Sequence, residues 1–331
     1  MKLKINIPKR LLLLSICVAG STVLPQANLY AQDSTTVTDE PVAKPKAKPV
    51  KNTFESIWII DNQTVMVPNK GSFEMDIMHR FGTVKNGYDD FWGFFAPSNI
   101  RLGVDYAPIK NLNLGIGITK NKMLWDGSAK YAIIKQTKGL YPVSVSYYGD
   151  IAYQTSKNPS ITILKPDGIS DDVPFKHTSD RFSFFHQLII ARKITDKFSL
   201  QVAPSLSHQN VVPGYYTKND STGTEIFQEM KHDHFAIAVS ARYKLTPVTS
   251  LMVNYDQPLT KHATNNPNPN VSFGFEFNTS GHSFQLFLGN YYLLNPQQNN
   301  LYNQSDPFKK VKSSFMDNFR IGFNITRLWS Y

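Results

Sequence analysis

The feature that most constrains this chain is a period-two alternation of apolar and polar residues, which recurs from about residue 71 to the C-terminus. In residues 271–278, Val and three Phe alternate with Ser, Gly, Glu and Asn. Successive side chains of a β-strand point to opposite faces, so each such segment predicts a strand with one apolar and one polar face. The same pattern is present in residues 112–119, 198–207, 235–244 and 319–326.

These segments predict about twelve antiparallel strands, joined by connections that alternate in length. Short turns at one rim and long loops at the other are typical of an outer-membrane barrel. The predicted fold is therefore all-β: a single antiparallel transmembrane β-barrel with short periplasmic turns and long extracellular loops. We place its strands near residues 71–81, 97–107, 112–121, 128–138, 142–155, 181–195, 197–208, 231–245, 249–257, 270–278, 281–292 and 317–329.

A soluble β-sandwich is the alternative fold, because its strands also alternate, with the apolar face inside. The polar face of this chain favours the barrel, since it mixes Gly, Ser, Asn and charged residues that suit a narrow hydrated lumen. Beyond the N-terminal segment, no apolar run approaches the ~20 residues that a spanning helix needs. Only helices and closed barrels satisfy their own backbone groups inside a bilayer, so a membrane location implies strands.

The N-terminal residues predict export to the cell outer membrane. Four cations precede the apolar residues 11–23 and an acceptable cleavage site ends at Ala31, so residues 1–31 are predicted to be a signal peptide. The only cysteine, Cys17, lies within it, which would leave the mature chain without disulfides. Residues 32–53 are rich in Lys and Pro and predict a disordered linker. Residues 54–331 form the predicted barrel, beginning with a plug-like segment or short entrance strand over 54–70.

The chain carries a formal net charge of +10. A basic balance raises the question of nucleic-acid binding. However, four of the cations lie in the predicted signal peptide and several more in the linker, and an exported protein rarely meets nucleic acid. We therefore predict no nucleic-acid partner.

Charged residues on the polar faces form the main candidate site. The first, second and last strands become neighbours when the barrel closes, so Glu74 or Asp76 could pair with Arg101 and Arg320. Paired charge is tolerated in a narrow lumen, whereas unpaired charge is costly. Two interpretations stay open: a salt-bridged, plugged interior that stabilises the barrel, or a charged constriction that selects solutes. The predicted lumen charge cluster consists of Glu74, Asp76, Arg80, Arg101, Asp105, Arg242 and Arg320.

Three histidines are weak candidates for a metal site. His232 and His234 have the spacing that places two side chains on one side of a strand, and His208 on the preceding strand could add a third ligand. A haem- or metal-binding barrel and a phospholipase- or protease-like outer-membrane enzyme are the alternative functions. No Gly-x-Ser-x-Gly or His-Glu-x-x-His motif is present, so we predict no enzyme activity, no catalytic residue and no bound cofactor.

Several stretches resemble an uncharacterised outer-membrane-type β-barrel family of Gram-negative bacteria, a domain of unknown function. They are residues 79–82 (HRFG), 99–108 (NIRLGVDYAP) and 130–136 (KYAIIKQ), with the aromatic loop 88–95 (YDDFWGFF) between the first two. The resemblance implies a barrel and carries no established activity. The last residues, 323–331, resemble the terminal strand that the barrel-assembly machinery recognises. The expected role is structural or narrow solute transport, with outer-membrane lipid and small solutes as further partners.

Overall fold

The computed structural model describes residues 47–165, 169–218, 221–223, 225–262, 265–310 and 314–330. The predicted signal peptide and residues 32–46 of the predicted linker lie outside these ranges. Within them, no helix combines the length and the apolar character needed to cross a bilayer.

The described part of the chain consists mainly of β-strands. In chain order they are β1 (Trp58–Ile59), β2 (Asn62–Gln63), β3 (Phe73–Thr83), β4 (Asn99–Ile109), β5 (Leu112–Thr119), β6 (Leu124–Ile134), β7 (Ser144–Gln154), β8 (Ser160–Leu164), β9 (Ser170–Pro174), β10 (Phe182–Lys193), β11 (Phe198–Gln209), β12 (Gly214–Lys218), β13 (Glu225–Glu229), β14 (Asp233–Lys244), β15 (Thr249–Pro258), β16 (Asn270–Asn278), β17 (His282–Gly289) and β18 (Arg320–Trp329). The helical elements are α1 (Pro296–Tyr302) and 3₁₀ turns at Val84–Asp90, Asn121–Met123, Thr178–Arg181 and Phe315–Asn318.

Within the described residues, twelve antiparallel strands close into one barrel. Each barrel strand pairs with the barrel strands before and after it in the chain, so that β7 pairs with β10 and β11 with β14, and β18 closes the barrel by pairing with β3. The predicted fold class and all twelve predicted strands are confirmed. The largest error is at β6, which begins four residues earlier than predicted. Asp and Gly are common in turns, which is why the sequence pattern excludes Asp126 and Gly127 from the strand. In the structure both lie within β6, and the Asp126 side chain is buried in the lumen.

The polar face of each strand points into the barrel, as predicted. In β16, Ser272 and Glu276 are buried, whereas Phe273, Phe275 and Phe277 are exposed on the outer wall. The same alternation runs along β11, β14 and β15. An outer wall of exposed apolar side chains around a polar interior suits contact with lipid, and it excludes the two-layer apolar core of a sandwich.

The two rims differ in the length of their connections. The short-turn rim carries the links after β4, β6, β10, β14 and β16, and the long-loop rim carries the others. At the long-loop rim, two loops form a small four-stranded sheet in the order β13-β12-β8-β9, which sequence analysis missed. The strands of this sheet have only five residues each, so their alternation is too brief to distinguish from loop sequence.

Residues 54–67, here called the plug segment, lie inside the barrel. Strands β1 and β2 form a hairpin at its centre, with Asp61 in the turn. Apolar plug residues such as Ile59 and Ile60 are fully buried in a cluster with inward-facing side chains of the wall, including Phe185 and Met252. Before the plug segment, Pro49 forms a β-bridge with Thr137 at the short-turn rim.

Candidate functional site: the lumen

Two glutamines of the wall hold the backbone of the plug segment. Gln285 accepts a hydrogen bond from the Ile60 N–H (3.0 Å) and donates one to the Trp58 carbonyl (2.9 Å). Gln201 accepts a hydrogen bond from the Val65 N–H (3.1 Å) and donates one to the Gln63 carbonyl (2.8 Å). Buried backbone groups need partners, and these amides supply them as a neighbouring strand would. The plug is therefore bound by matched donors and acceptors.

Other wall residues extend this binding to the second half of the plug segment. The Lys130 ammonium donates to the Gln63 side-chain oxygen (2.7 Å) and to the Thr64 carbonyl (3.3 Å). The Ser146 hydroxyl donates to the Val65 carbonyl (3.0 Å). Each such bond contributes roughly 1 kcal/mol net, so together they fix the plug in one position.

The tip of the plug is a carboxylate inside a ring of polar side chains. Asp61 accepts hydrogen bonds from the Tyr291 hydroxyl, from the Asn254 amide (3.3 Å) and from the Asn299 amide (3.5 Å). Asn299 belongs to α1, which comes from the opposite rim. The tip is thus the point where the plug and α1 meet.

Helix α1 fills the lumen from the long-loop rim. Its residues 296–301 are all buried. Gln297 donates to the Asp150 carboxylate (2.7 Å), and Asn300 accepts from the Asn270 amide (2.9 Å). The lumen is therefore occupied from both ends by the chain itself. The sequence pattern predicts a loop for this segment, although the proline at the first helical position is a helix-start signal.

One predicted ion pair is present, and a second carboxylate joins it. The Arg101 guanidinium contacts Asp76 (2.8 Å) and, with two nitrogens, Asp126 (2.5 and 3.1 Å). It also lies over the Trp58 ring of the plug (5.4 Å). A Cβ at Gly117 would lie 2.2 Å from the guanidinium, so a larger residue there would displace Arg101 from its position between the two carboxylates. Asp126 is not among the predicted lumen charges, because its position falls between the predicted strands at 112–121 and 128–138.

Glu74 and Asp105, both predicted members, face each other across β3 and β4. Asp105 accepts a hydrogen bond from the Asn113 amide (2.7 Å). Glu74 Oε1 is buried and has no hydrogen-bond partner within the described part of the chain. Its side chain lines a cavity of about 370 Å³ at the short-turn rim, beside residues 52–56 and 65–67. The other charged side chains that line the cavity are Glu55 and Lys135.

The remaining predicted charges lie elsewhere in the lumen. Arg80 donates to the Asn324 side chain (3.0 Å) and stacks over Phe287 (4.4 Å), and no carboxylate is within ion-pair distance of it among the described residues. Arg242 lies on the wall opposite Arg101, six strands away, where it pairs with Glu276 (2.6 Å). Arg242 also lies 3.6 Å from the carboxylate of Glu55, near the start of the plug segment.

The predicted pairing of Arg320 with Glu74 or Asp76 is wrong. Asp76 is opposite Thr326 in the β3–β18 register, so Arg320 is six residues, or about 20 Å, further along the strand. Arg320 instead donates to the Asn290 carbonyl (3.3 Å) and lies over the Tyr292 ring (5.6 Å) at the long-loop rim.

Only two of the three candidate histidines lie together: the ring centroids of His208 and His232 are 6.1 Å apart, whereas His234 packs against His262 (4.5 Å). His232 precedes β14 and is exposed, so the strand alternation does not place it beside the buried His234. The His232 ring is hydrogen-bonded to the Gln209 carbonyl (2.6 Å), and the His234 ring to the Lys231 carbonyl (2.9 Å). His208 bonds Asp233 (2.7 Å). In the described ranges, no three His, Cys, Asp or Glu side chains form a group that could hold a metal ion. A metal site at these histidines stays a prediction.

The comparison with known protein families agrees with the barrel fold. The family model described as "Membrane bound beta barrel domain (DUF5777)" matches residues 54–329. No curated protein matches the sequence significantly. Among solved structures, an outer membrane channel from Pseudomonas putida F1 is 11% identical with a TM-score of 0.44, covering 80% of this chain and 97% of that one. The NanC porin is 8% identical with a TM-score of 0.40, covering 77% and 98%. The resemblance found in the sequence is confirmed, and the chain belongs to the membrane-bound β-barrel domain family DUF5777.

Proposed function

We propose that this chain is an outer-membrane channel that is closed at rest and passes small polar solutes when the plug segment and helix α1 move out of the lumen. The observation that carries the proposal is the path of the plug. The Val50 N–H bonds the Gln136 carbonyl (2.7 Å) and the Gly71 N–H bonds the Ala107 carbonyl (2.8 Å), both at the short-turn rim. The plug thus enters and leaves through one rim, and it can withdraw without opening the barrel wall.

The dimensions of the barrel are compatible with a narrow passage. Twelve strands spaced about 4.8 Å apart and tilted by about 40° give a backbone diameter of about 24 Å. Side chains of the wall fill part of this width, and the plug hairpin fills most of the remainder. A lumen that accommodates both strands of a hairpin is wide enough for a small solute once the hairpin has left.

The polar wall supports a channel over a purely structural barrel. The residues that bind the plug backbone are amides, hydroxyls and an ammonium group, and these can bond water or solute equally well when the plug leaves. The apolar contacts of Ile59 and Ile60 with the wall oppose release and keep the resting state closed. Withdrawal therefore needs a trigger, which we expect to act from the periplasmic, short-turn side through the residues that precede the plug.

The membrane and its assembly route are part of the same proposal. The long-loop rim faces outward, and the strand that ends at Trp329 is recognised by the barrel-assembly machinery. Membrane fractionation, combined with the gel shift between boiled and unboiled protein, tests the location. Recovery in the inner membrane or the soluble fraction would contradict it.

Single-channel conductance in planar bilayers tests the channel itself. Three proteins are compared: the intact chain, a variant whose residues 54–67 are replaced by a Gly/Ser linker of equal length, and a variant in which residues 296–302 are replaced as well. We expect brief, rare openings for the intact chain and steady conductance, at least tenfold higher on average, for the double variant. Circular dichroism and the gel shift confirm folding. A folded double variant that conducts no better than the intact chain would support a structural role instead.

A further inference from the structure

An aromatic lobe projects from the long-loop rim between β3 and β4. It comprises Tyr88, Phe91, Trp92, Phe94 and Phe95, all exposed, with Tyr88 and Phe95 more than 80% accessible. Soluble surfaces rarely expose contiguous apolar patches of this kind, and large ones mark interaction sites. Neither the family nor the proposed channel function assigns a role to this lobe.

The lobe is held in a defined conformation by local bonds. The Asp90 carboxylate accepts hydrogen bonds from the Gly93 N–H (2.9 Å) and from the Asn86 amide (2.9 Å). Phe91 and Trp92 both adopt left-handed backbone angles, with φ of 50° and 52°. That conformation costs energy for a bulky residue and persists only where the surroundings enforce it. The exposed rings are thus presented by a built structure.

Glycines fasten the lobe to the end of β3. The Gly82 N–H bonds the Gly93 carbonyl (3.0 Å). A Cβ at Gly93 would lie 2.4 Å from the Gly82 carbonyl oxygen, and Gly93 has a φ of +85°. Both facts require glycine, because a larger residue would push the lobe away from the strand.

The lobe continues the outer wall of the barrel. Phe94 contacts Phe81 (4.3 Å between ring centroids), and Phe81 contacts Phe323 (6.0 Å). Phe81 and Phe323 belong to the outward-facing set of β3 and β18. Phe91 links this chain of rings to Phe95 (5.9 Å). The rings therefore form one apolar surface with the wall that faces lipid.

A second loop widens the same surface. The Val84 N–H at the base of the lobe bonds the Phe319 carbonyl (3.0 Å), which brings the 3₁₀ turn at Phe315–Asn318 beside it. Phe315 and Met316 are exposed there, and the Lys310 ammonium lies over the Phe315 ring (5.4 Å). A cation beside aromatic rings suits the level of lipid headgroups.

We propose that this lobe inserts into the outer leaflet at the long-loop rim, with its rings at the boundary between acyl chains and headgroups. Because the rings of the lobe continue the lipid-facing wall, lipid is the partner that covers them. A soluble protein could reach the same rings only at the membrane surface. Trp and Tyr are the residues that favour this boundary. The lobe then fixes the depth of the barrel in the membrane at the point where β3 pairs with β18.

Fluorescence quenching by brominated phosphatidylcholine tests the insertion. The chain has four tryptophans, so two single-Trp proteins are made by replacing the other three with Phe, one keeping Trp92 and one keeping Trp125. Trp125 is the matched reference, because it is exposed on the outer wall at the long-loop end of β6. In vesicles of lipid brominated near the headgroup end of the acyl chain, we expect Trp92 to be quenched at least half as strongly as Trp125.

Two results would overturn the proposal. Trp92 quenching below one fifth of that of Trp125, together with strong quenching by aqueous acrylamide, would place the lobe in water. Lipid quenching of Trp92 that appears only when the protein is diluted in the vesicles would show that a second copy covers the lobe. If the triple-Phe protein does not refold, Phe95→Cys in a Cys17→Ser chain, labelled with a polarity-sensitive dye, supplies the same comparison. A water-like emission spectrum would then contradict insertion.

Discussion

Replacing Arg101 by methionine is the most informative perturbation of the lumen. Arg101 is 3% exposed and bonds both Asp76 and Asp126, so Arg101→Met leaves two buried carboxylates without their cation. Removing one partner of a buried ion pair costs about 3–5 kcal/mol, chiefly because the remaining charge is uncompensated. We expect the free energy of unfolding to fall by about 3–5 kcal/mol. The triple variant Arg101→Met/Asp76→Asn/Asp126→Asn removes those charges as well, and we expect it to lose less than about 2 kcal/mol.

Urea unfolding in lipid vesicles, followed by tryptophan fluorescence, measures both losses. Arg320→Ala is the control, since Arg320 contacts a carbonyl and a ring but no carboxylate within the described chain. Its expected loss is about 1 kcal/mol or less. A loss below about 1 kcal/mol for Arg101→Met, or a triple variant as unstable as the single one, would refute the assignment of Arg101 as the compensating cation.

Further predictions concern the plug segment, the wall of the lumen and the aromatic lobe. Lys130→Met removes two bonds to the plug, at 2.7 and 3.3 Å, and should raise the frequency of channel openings severalfold, which single-channel recording measures. Glu74→Gln, in the variant lacking the plug and α1, removes an inward-facing carboxylate of the wall and should shift the selectivity toward Cl⁻, which the reversal potential in a salt gradient reports; an unchanged potential would contradict this. Gly93→Ala should destabilise the protein by about 1–3 kcal/mol and weaken lipid quenching of Trp92, whereas Gly139→Ala, in open space at the other rim, should leave the quenching unchanged.

The barrel could be predicted from the sequence because alternation is a local property. Each barrel strand shows its two faces within eight to twelve consecutive residues, and the alternation of short turns with long loops indicates the order of the strands. The pairing of Arg101 with Asp76 followed from this, since both lie on inward faces of adjacent strands. The height of a residue along the barrel was harder to predict, because it depends on register. Arg320 lies on the inward-facing set of β18, as predicted, and is still about 20 Å from Asp76 along the strand.

The contents of the lumen could not be predicted because they are held by contacts that are distant in sequence. The bond between Asn62 and Asp256 joins residues 194 positions apart. Helix α1 is also hidden from hydropathy patterns, since it buries Gln and Asn in a polar interior and has no apolar stripe. The plug segment was identified as a candidate by its apolar composition, but its partners are wall residues whose positions only the closed barrel defines.

Disulfide trapping tests most directly whether the plug segment occupies the lumen. The hydroxyl oxygens of Ser56 and Thr326 are 3.4 Å apart, which is close enough for a cystine with small adjustments. In a Cys17→Ser chain in native membranes, Ser56→Cys/Thr326→Cys should form an intramolecular disulfide on mild oxidation, detected by gel mobility, and oxidation should abolish channel openings. The control pair is Ser56→Cys/Ser199→Cys, in which position 199 on β11 is five strands around the barrel from position 326 on β18. This pair should not form a disulfide. Equal trapping by both pairs, or failure of the first pair to form a disulfide in the folded protein, would contradict a plugged lumen.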